Sequence, residues 1–301
     1  NIIGSAVAQV ALPDLAKYCC KGQGDNFKKV LNDSIQLSLY LIFPIIGIML
    51  VLRLPIVRLI YGTGAFDWQD TLLTAWCLAL LSVSVVGQTV VQILLRAFYA
   101  LKNTWKPLVA ISVGIVVNLL GAYYLTNFFS HYYDWRPILE QVWVQVATAN
   151  GQGVMSVLKS FLSDTAHWMT TRGDSDLAVG GLALSLSLAY FVQMVISSFM
   201  LNRIKKVLSW KDTMYPALLK LLNTLIMIVG MYFVFRLFDF QFDTTRTVYI
   251  LILSAVTSIY GGFSYLIGSK IFSPKEFKVA EKLLKNMGNK FFRNGTNLRP
   301  E

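Results

Sequence analysis

The sequence predicts an all-α fold, a polytopic bundle of transmembrane helices, and three observations carry that expectation. Hydrophobic residues make up 55% of the 301 and charged residues only 14%, for a mean hydropathy of +0.55, well outside the range of soluble domains. Six stretches are long and apolar enough to cross a membrane. A hydrocarbon core of roughly 30 Å takes about 20 apolar residues as a helix, the element that satisfies all its own backbone polar groups in lipid. Finally, the basic residues gather in alternate connectors, as membrane topology demands.

Taken in order, residues 1–12 are apolar but lack a basic flank before them and a small-residue cleavage site after them, so they read as a truncated span rather than a signal peptide. Cys19 and Cys20 follow in what reads as a polar loop. Complete spans are expected at 35–53, 72–101, 107–129, 177–202, 214–238 and 247–272. The organisation that follows is residues 1–129 with the truncated span and three complete ones, an insert at 130–176, a further span at 177–202, two closing spans within 203–272, and a basic tail at 273–301.

Of the 27 Lys and Arg, 18 fall on the side of the tail and six on the side of the insert. Basic residues are retained in the cytoplasm, so the tail is expected inside and the insert outside. The net charge of +11 is then a topology signal whose natural partners are anionic membrane lipids. Nucleic acid is not expected, because no soluble basic face is interleaved with stacking aromatics. In the tail Phe277, Ala280, Leu283, Leu284 and Met287 recur at helical spacing among lysines, as in an interfacial helix. In the insert, Val154, Val157, Leu158, Phe161, Leu162, Thr165 and Trp168 share a helical face behind an apolar 138–146. One or two amphipathic helices on the outer surface are expected there, with Tyr132, Tyr133, Trp135, Trp143 and Trp168 at headgroup level. Binding of a periplasmic partner is the sharper reading of the same segment.

Catalytic chemistry finds little support. The two histidines, His131 and His167, lack metal-ligand spacing, and the cysteines lack a C-x-x-C pair. Gly62-Thr63-Gly64 lacks the third glycine and the preceding strand of a dinucleotide fingerprint and reads as a turn. No Walker motif occurs. Neither an enzyme, a cofactor nor a metal is expected.

One constellation does point to transport. Ser84, Gln88, Gln92 and Arg96 recur every four residues in the span 72–101, drifting by about 40° per step around a helix, and so form one stripe roughly 18 Å long. A guanidinium at that depth costs about 2.5 to 3.5 kcal/mol unless it faces a bundle interior or a wet cavity. The alternatives are that Arg96 snorkels to headgroups and that the glutamines bond neighbouring helices.

Several motifs carry a resemblance. Val10-Ala-Leu-Pro13-Asp-Leu-Ala-Lys17 is followed by Phe43-Pro44-Ile-Ile-Gly47, then by Leu54-Pro55-Ile-Val-Arg58-Leu-Ile-Tyr-Gly62-Thr-Gly64-Ala-Phe66 and Asp70-Thr71. Arg96-Ala-Phe98-Tyr99-Ala100-Leu101-Lys-Asn-Thr104-Trp-Lys-Pro107 is the most specific block. In order and spacing this series resembles the second lobe of the MurJ/MviN family, lipid II flippases of the MOP superfamily. The resemblance implies two pseudo-symmetric lobes plus two closing helices, of which this chain holds the carboxy-terminal lobe and the closing pair. It implies a central cavity for the pyrophosphate and sugar-peptide head group of lipid II, or of a similar polyprenyl-pyrophosphate glycolipid, with the polyprenyl tail beside 214–238 and 247–272. Asn118 is placed like one ligand of the sodium site that some members carry, whereas Ala122, one turn on, offers no carboxylate. Asn103 stands where members usually carry Asp. The candidate cavity set is thus Ser84, Gln88, Gln92, Arg96 and Asn118. A flippase for another polyprenyl-linked saccharide, a multidrug exporter of the same superfamily, and a non-transporting scaffold that recruits cell-wall synthesis proteins through the insert are the competing readings.

Overall fold

The computed structural model describes residues 2–62, 66–147, 151–205, 210–239 and 247–278. Among the described residues the α-helices, in order, are α1 (Ile2–Cys20), α2 (Gly24–Val51), α3 (Arg53–Tyr61), α4 (Trp68–Ala100), α5 (Trp105–Ser130), α6 (Tyr132–Ala147), α7 (Gly151–Thr170), α8 (Val179–Lys205), α9 (Tyr215–Asp239) and α10 (Thr247–Phe272). No strand occurs among the described residues. Six of the helical segments, those built on α2, α4, α5, α8, α9 and α10, are long and apolar enough to cross a membrane. The chain is a multi-pass membrane protein, and its exposed apolar side chains are what lipid would cover. Leu218, Leu225 and Phe233 on α9 and Ile252, Ile259 and Phe263 on α10 are all exposed.

Three expectations need correction near the start. Cys19 and Cys20 lie in the last turn of α1, not in a loop, because α1 runs on through Pro13. Ala8, Ala11 and Leu15 are buried at helical spacing against Phe27 and Leu31, and that burial outweighs the hydrogen bond a proline removes. α2 begins at Gly24 rather than 35, since Phe27, Leu31 and Ile35 continue its buried face below the apolar stretch while Lys28 and Lys29 dilute the hydropathy. The connector after it contains a helix, α3, with Pro55 in its first turn, where the missing N–H is harmless.

α4 begins at Trp68, four residues before the expected 72. α4 opens with a reciprocal cap. The Asp70 N–H donates to Asp67 Oδ1 at 3.0 Å and the Asp67 N–H to Asp70 Oδ2 at 3.3 Å. Between α4 and α5, Lys102 takes φ 56°; the Asn103 N–H reaches the Phe98 carbonyl at 3.0 Å and the Lys102 N–H that of Tyr99 at 3.0 Å. This is the Schellman end that normally recruits glycine. Asn103 Oδ1 then accepts the Lys106 N–H at 3.3 Å, so the amide supplies the same capping oxygen that an aspartate would.

α8 is the central post. Its glycines let it approach both neighbours closely, as small residues do in membrane bundles. A Cβ on Gly181 would lie 2.5 Å from the Leu125 carbonyl carbon of α5, and one on Gly180 2.2 Å from Trp76 Nε1 of α4. The insert forms two helices, α6 and α7. Trp168 of the insert is buried, its ring 6.4 Å from that of Phe128 and 5.7 Å from that of Phe161. Phe161 and Trp168 of α7 pack on the end of α5 through edge contacts with Phe128. Of the proposed tail helix only Phe277 lies among the described residues; Ala280 to Met287 lie outside them.

Candidate functional site

α4 packs against α8, α1, α2 and α3. Gly87 faces the Tyr190 backbone of α8, and Thr89 meets Gly4 of α1. At about 100° per residue, Gln88 lies midway between these two contact sides. Gln88, Gln92 and Arg96 are each partly exposed there. The Arg96 guanidinium lies 6.0 Å from the Tyr99 ring centroid and appears in none of the ion pairs among the described residues. Ser84 differs from the other three: it is buried, and its hydroxyl donates to the Leu81 carbonyl at 2.6 Å.

Asn118 does not join this row. It stands on α5, where its Oδ1 accepts a hydrogen bond from the Ser185 hydroxyl of α8 at 3.1 Å. A small cavity of about 160 Å³ there is bounded by Gly114, Asn118, Ala189, Tyr190 and Gln193, among others. α8 lies between this recess and α4, and Tyr190 is shared by both faces. At the insert end a wider cavity of about 1150 Å³ opens between α4, α5, α8 and the residues after α7. Asp70, Asn127, Arg172, Asp174 and Asp176 give it a mixed polar lining. Among the described residues no group of three or more His, Cys, Asp or Glu could hold a metal ion.

Sequence reasoning missed one polar centre. Lys220 of α9 is 1% exposed, and its ammonium donates to Gln36 Oε1 of α2 and, at 2.7 Å, to Glu276 Oε1 beyond α10. The Gln36 amide donates in turn to the Thr213 carbonyl at 2.8 Å. One helical turn further along α2, the Tyr40 hydroxyl donates to Ser269 Oγ at 3.2 Å and the Tyr265 hydroxyl to the Tyr40 carbonyl at 3.0 Å. The signal was a lone lysine inside an apolar span, which must find a partner; its position 56 residues before Glu276 gave no way to choose that partner.

Comparison with known proteins matches residues 1–133 to the family model described as lipid II flippase MurJ. A probable lipid II flippase MurJ of Rhizobium meliloti is 28% identical over 119 residues, 40% of this chain and 22% of that protein. Its counterpart in Bdellovibrio bacteriovorus is 26% identical over 197 residues, 62% of this chain and 35% of that protein. The lipid II flippase MurJ of Thermosipho africanus is 30% identical over 95 residues, 32% of this chain and 20% of that protein. Among solved structures, a lipid II flippase MurJ in an inward closed conformation superposes with a TM-score of 0.53 at 23% identity, over 88% of this chain and 42% of that one. The fold is therefore shared across most of the chain, which spans only about a fifth to a third of the length of the curated relatives named. The relatives named are described as lipid II flippases.

Proposed function

We propose that this chain is the second lobe and closing hairpin of a MurJ-family flippase, and that the protein carrying it moves lipid II across the bacterial inner membrane by alternating access. Two lobes then rock about a shared site, each exposing it to one side in turn. In this reading residues 1–129 and 177–202 form the lobe, 203–272 the closing pair, 130–176 an outer insert, and 273–301 a cytoplasmic tail.

The observation that carries the reading is the row Gln88, Gln92 and Arg96 on the side of α4 left open between α1 and α8. A transporter needs polar groups of this kind facing a path, whereas a scaffold does not. Arg96 would meet the pyrophosphate through charge-assisted, forked hydrogen bonds, with Gln88 and Gln92 contacting the head group further along. Ser84 and Asn118 would shape the same lobe through packing, since each already has a partner. The polyprenyl tail would lie along the exposed apolar faces of α9 and α10.

The test uses the full-length protein. Arg96→Ala is expected to slow flipping about tenfold or more at unchanged membrane abundance, as loss of a charged hydrogen bond of roughly 1.5 to 3 kcal/mol implies. Arg96→Lys should recover only part of the rate, because a planar fork becomes a point charge. Full activity of Arg96→Ala would remove the stripe from the transport path.

A further inference from the structure

At the basic end of the bundle, the start of α5 and the end of α8 part to leave a notch of about 480 Å³ lined by Lys106, Val195, Ile196, Phe199, Met200 and Arg203. Its walls are aliphatic and aromatic, and its two polar members are both cations. Neither Lys106 nor Arg203 takes part in an ion pair among the described residues, and no acid lines the notch. The Arg203 guanidinium lies 4.7 Å from the Phe199 ring centroid, which holds it over the apolar floor by a cation–π contact. Val195 and Phe199 are 60% and 58% exposed. They lie on the side of α8 away from Leu186, Tyr190 and Gln193, the residues that face the recess beside Asn118.

The positions along the helices matter as much as the charges. Lys106 stands in the first turn of α5 and Arg203 in the last turn of α8, whereas Phe199 and Val195 lie one and two turns deeper into the span. The cations are therefore at the membrane–water boundary and the apolar walls within the hydrocarbon. A ligand that fits must carry negative charge at the boundary and an aliphatic chain directly beneath it.

We propose that this notch is a binding site for an anionic phospholipid, its phosphate held between Lys106 and Arg203 and an acyl chain laid along Val195 and Phe199. The site requires only that α5 and α8 cross the membrane and is independent of the flippase reading. Anionic headgroups gain about 1 kcal/mol per nearby cation, which is about fivefold in affinity for each residue.

The full chain, purified in detergent and stripped of lipid, is titrated with phosphatidylglycerol or phosphatidylcholine, and bound lipid is counted by native mass spectrometry. One tightly bound phosphatidylglycerol is expected, with phosphatidylcholine at least tenfold weaker. The double variant Lys106→Gln, Arg203→Gln should weaken phosphatidylglycerol about 25-fold, whereas Lys17→Gln, Lys21→Gln, which removes the same charge from another basic segment, should leave it unchanged. Lys106→Arg, Arg203→Lys keeps both charges and should retain binding within a fewfold, which guards against misfolding of the neutral variant. Equal weakening by both charge-removing pairs would reduce the effect to overall charge and overturn the proposal. So would competition by inorganic phosphate as effective as by the lipid, because a free anion ignores the apolar walls.

Discussion

Single residues decide where charge can stay inside this bundle. Lys220 is almost fully enclosed, and Glu276, which pairs with it, comes from outside the span. Removing one member of such a pair leaves an uncompensated buried charge, a loss of about 3 to 5 kcal/mol, whereas removing both is often close to neutral. Glu276→Ala is therefore expected to lower the thermal unfolding temperature in detergent markedly. Adding Lys220→Met to it should restore most of the loss; a double variant no better than the single one would show that Glu276 acts through another contact. Gln88 and Gln92 make the opposite case, since they face an open side. Gln88→Leu with Gln92→Leu should leave folding intact and slow flipping in the full-length protein, and a normal rate would assign the pair to packing. The row on α4 was legible in the sequence because a four-residue spacing survives without tertiary knowledge. Lys220's partners were not, because side chains on α2 and beyond α10 meet it only through the folded chain.

At the scale of elements, the length of the apolar stretches located most helices, and the errors fell where charge obscured burial. α10 was expected at 247–272 and occupies Thr247–Phe272. α2 reaches Gly24 because Phe27, Leu31 and Ile35 continue its buried row, which neighbouring lysines hid in the sequence. The α5–α8 contact offers a direct check on close packing. A Cβ at Gly181 would stand 2.5 Å from both the Leu125 carbonyl carbon and the Thr126 nitrogen, and backbone cannot step aside as a flexible side chain can. Gly181→Leu should separate the two helices and lower the unfolding temperature. Gly262→Leu, at a glycine with nothing within 4 Å of its added Cβ, should be tolerated. Equal stability of the two would show that α8 has room to shift.

For the molecule as a whole, the excess of cations at one end, 18 of 27, sets the expected orientation. Cys20 is exposed at that end, while Cys77 lies part-buried within α4. In spheroplasts of a Cys77→Ala background, a membrane-impermeant thiol reagent should leave Cys19 and Cys20 unlabelled until the cells are opened; labelling of intact cells would invert the topology. Residues 1–301 alone should not rescue a flippase-depleted strain, because rocking needs a second lobe, and rescue would refute the two-lobe mechanism. The reach of α2 adds a consequence for how such rocking could be followed. Its 28 residues measure about 42 Å against a hydrocarbon layer of roughly 30 Å, so, upright and with its far end level with that layer's edge, it would protrude as a lever arm with its tip about 27 Å from mid-membrane. A rigid-body tilt of about 10° would swing that tip by roughly 5 Å. Lys28, 3.5 Å from Asp212, and Asn32, whose amide donates to the Asp212 carbonyl at 2.8 Å, lash the arm to the segment before α9. The arm and the closing hairpin would therefore swing in step, and the largest displacement would occur in water, where a probe at Asp25 could read it as an amplified pointer.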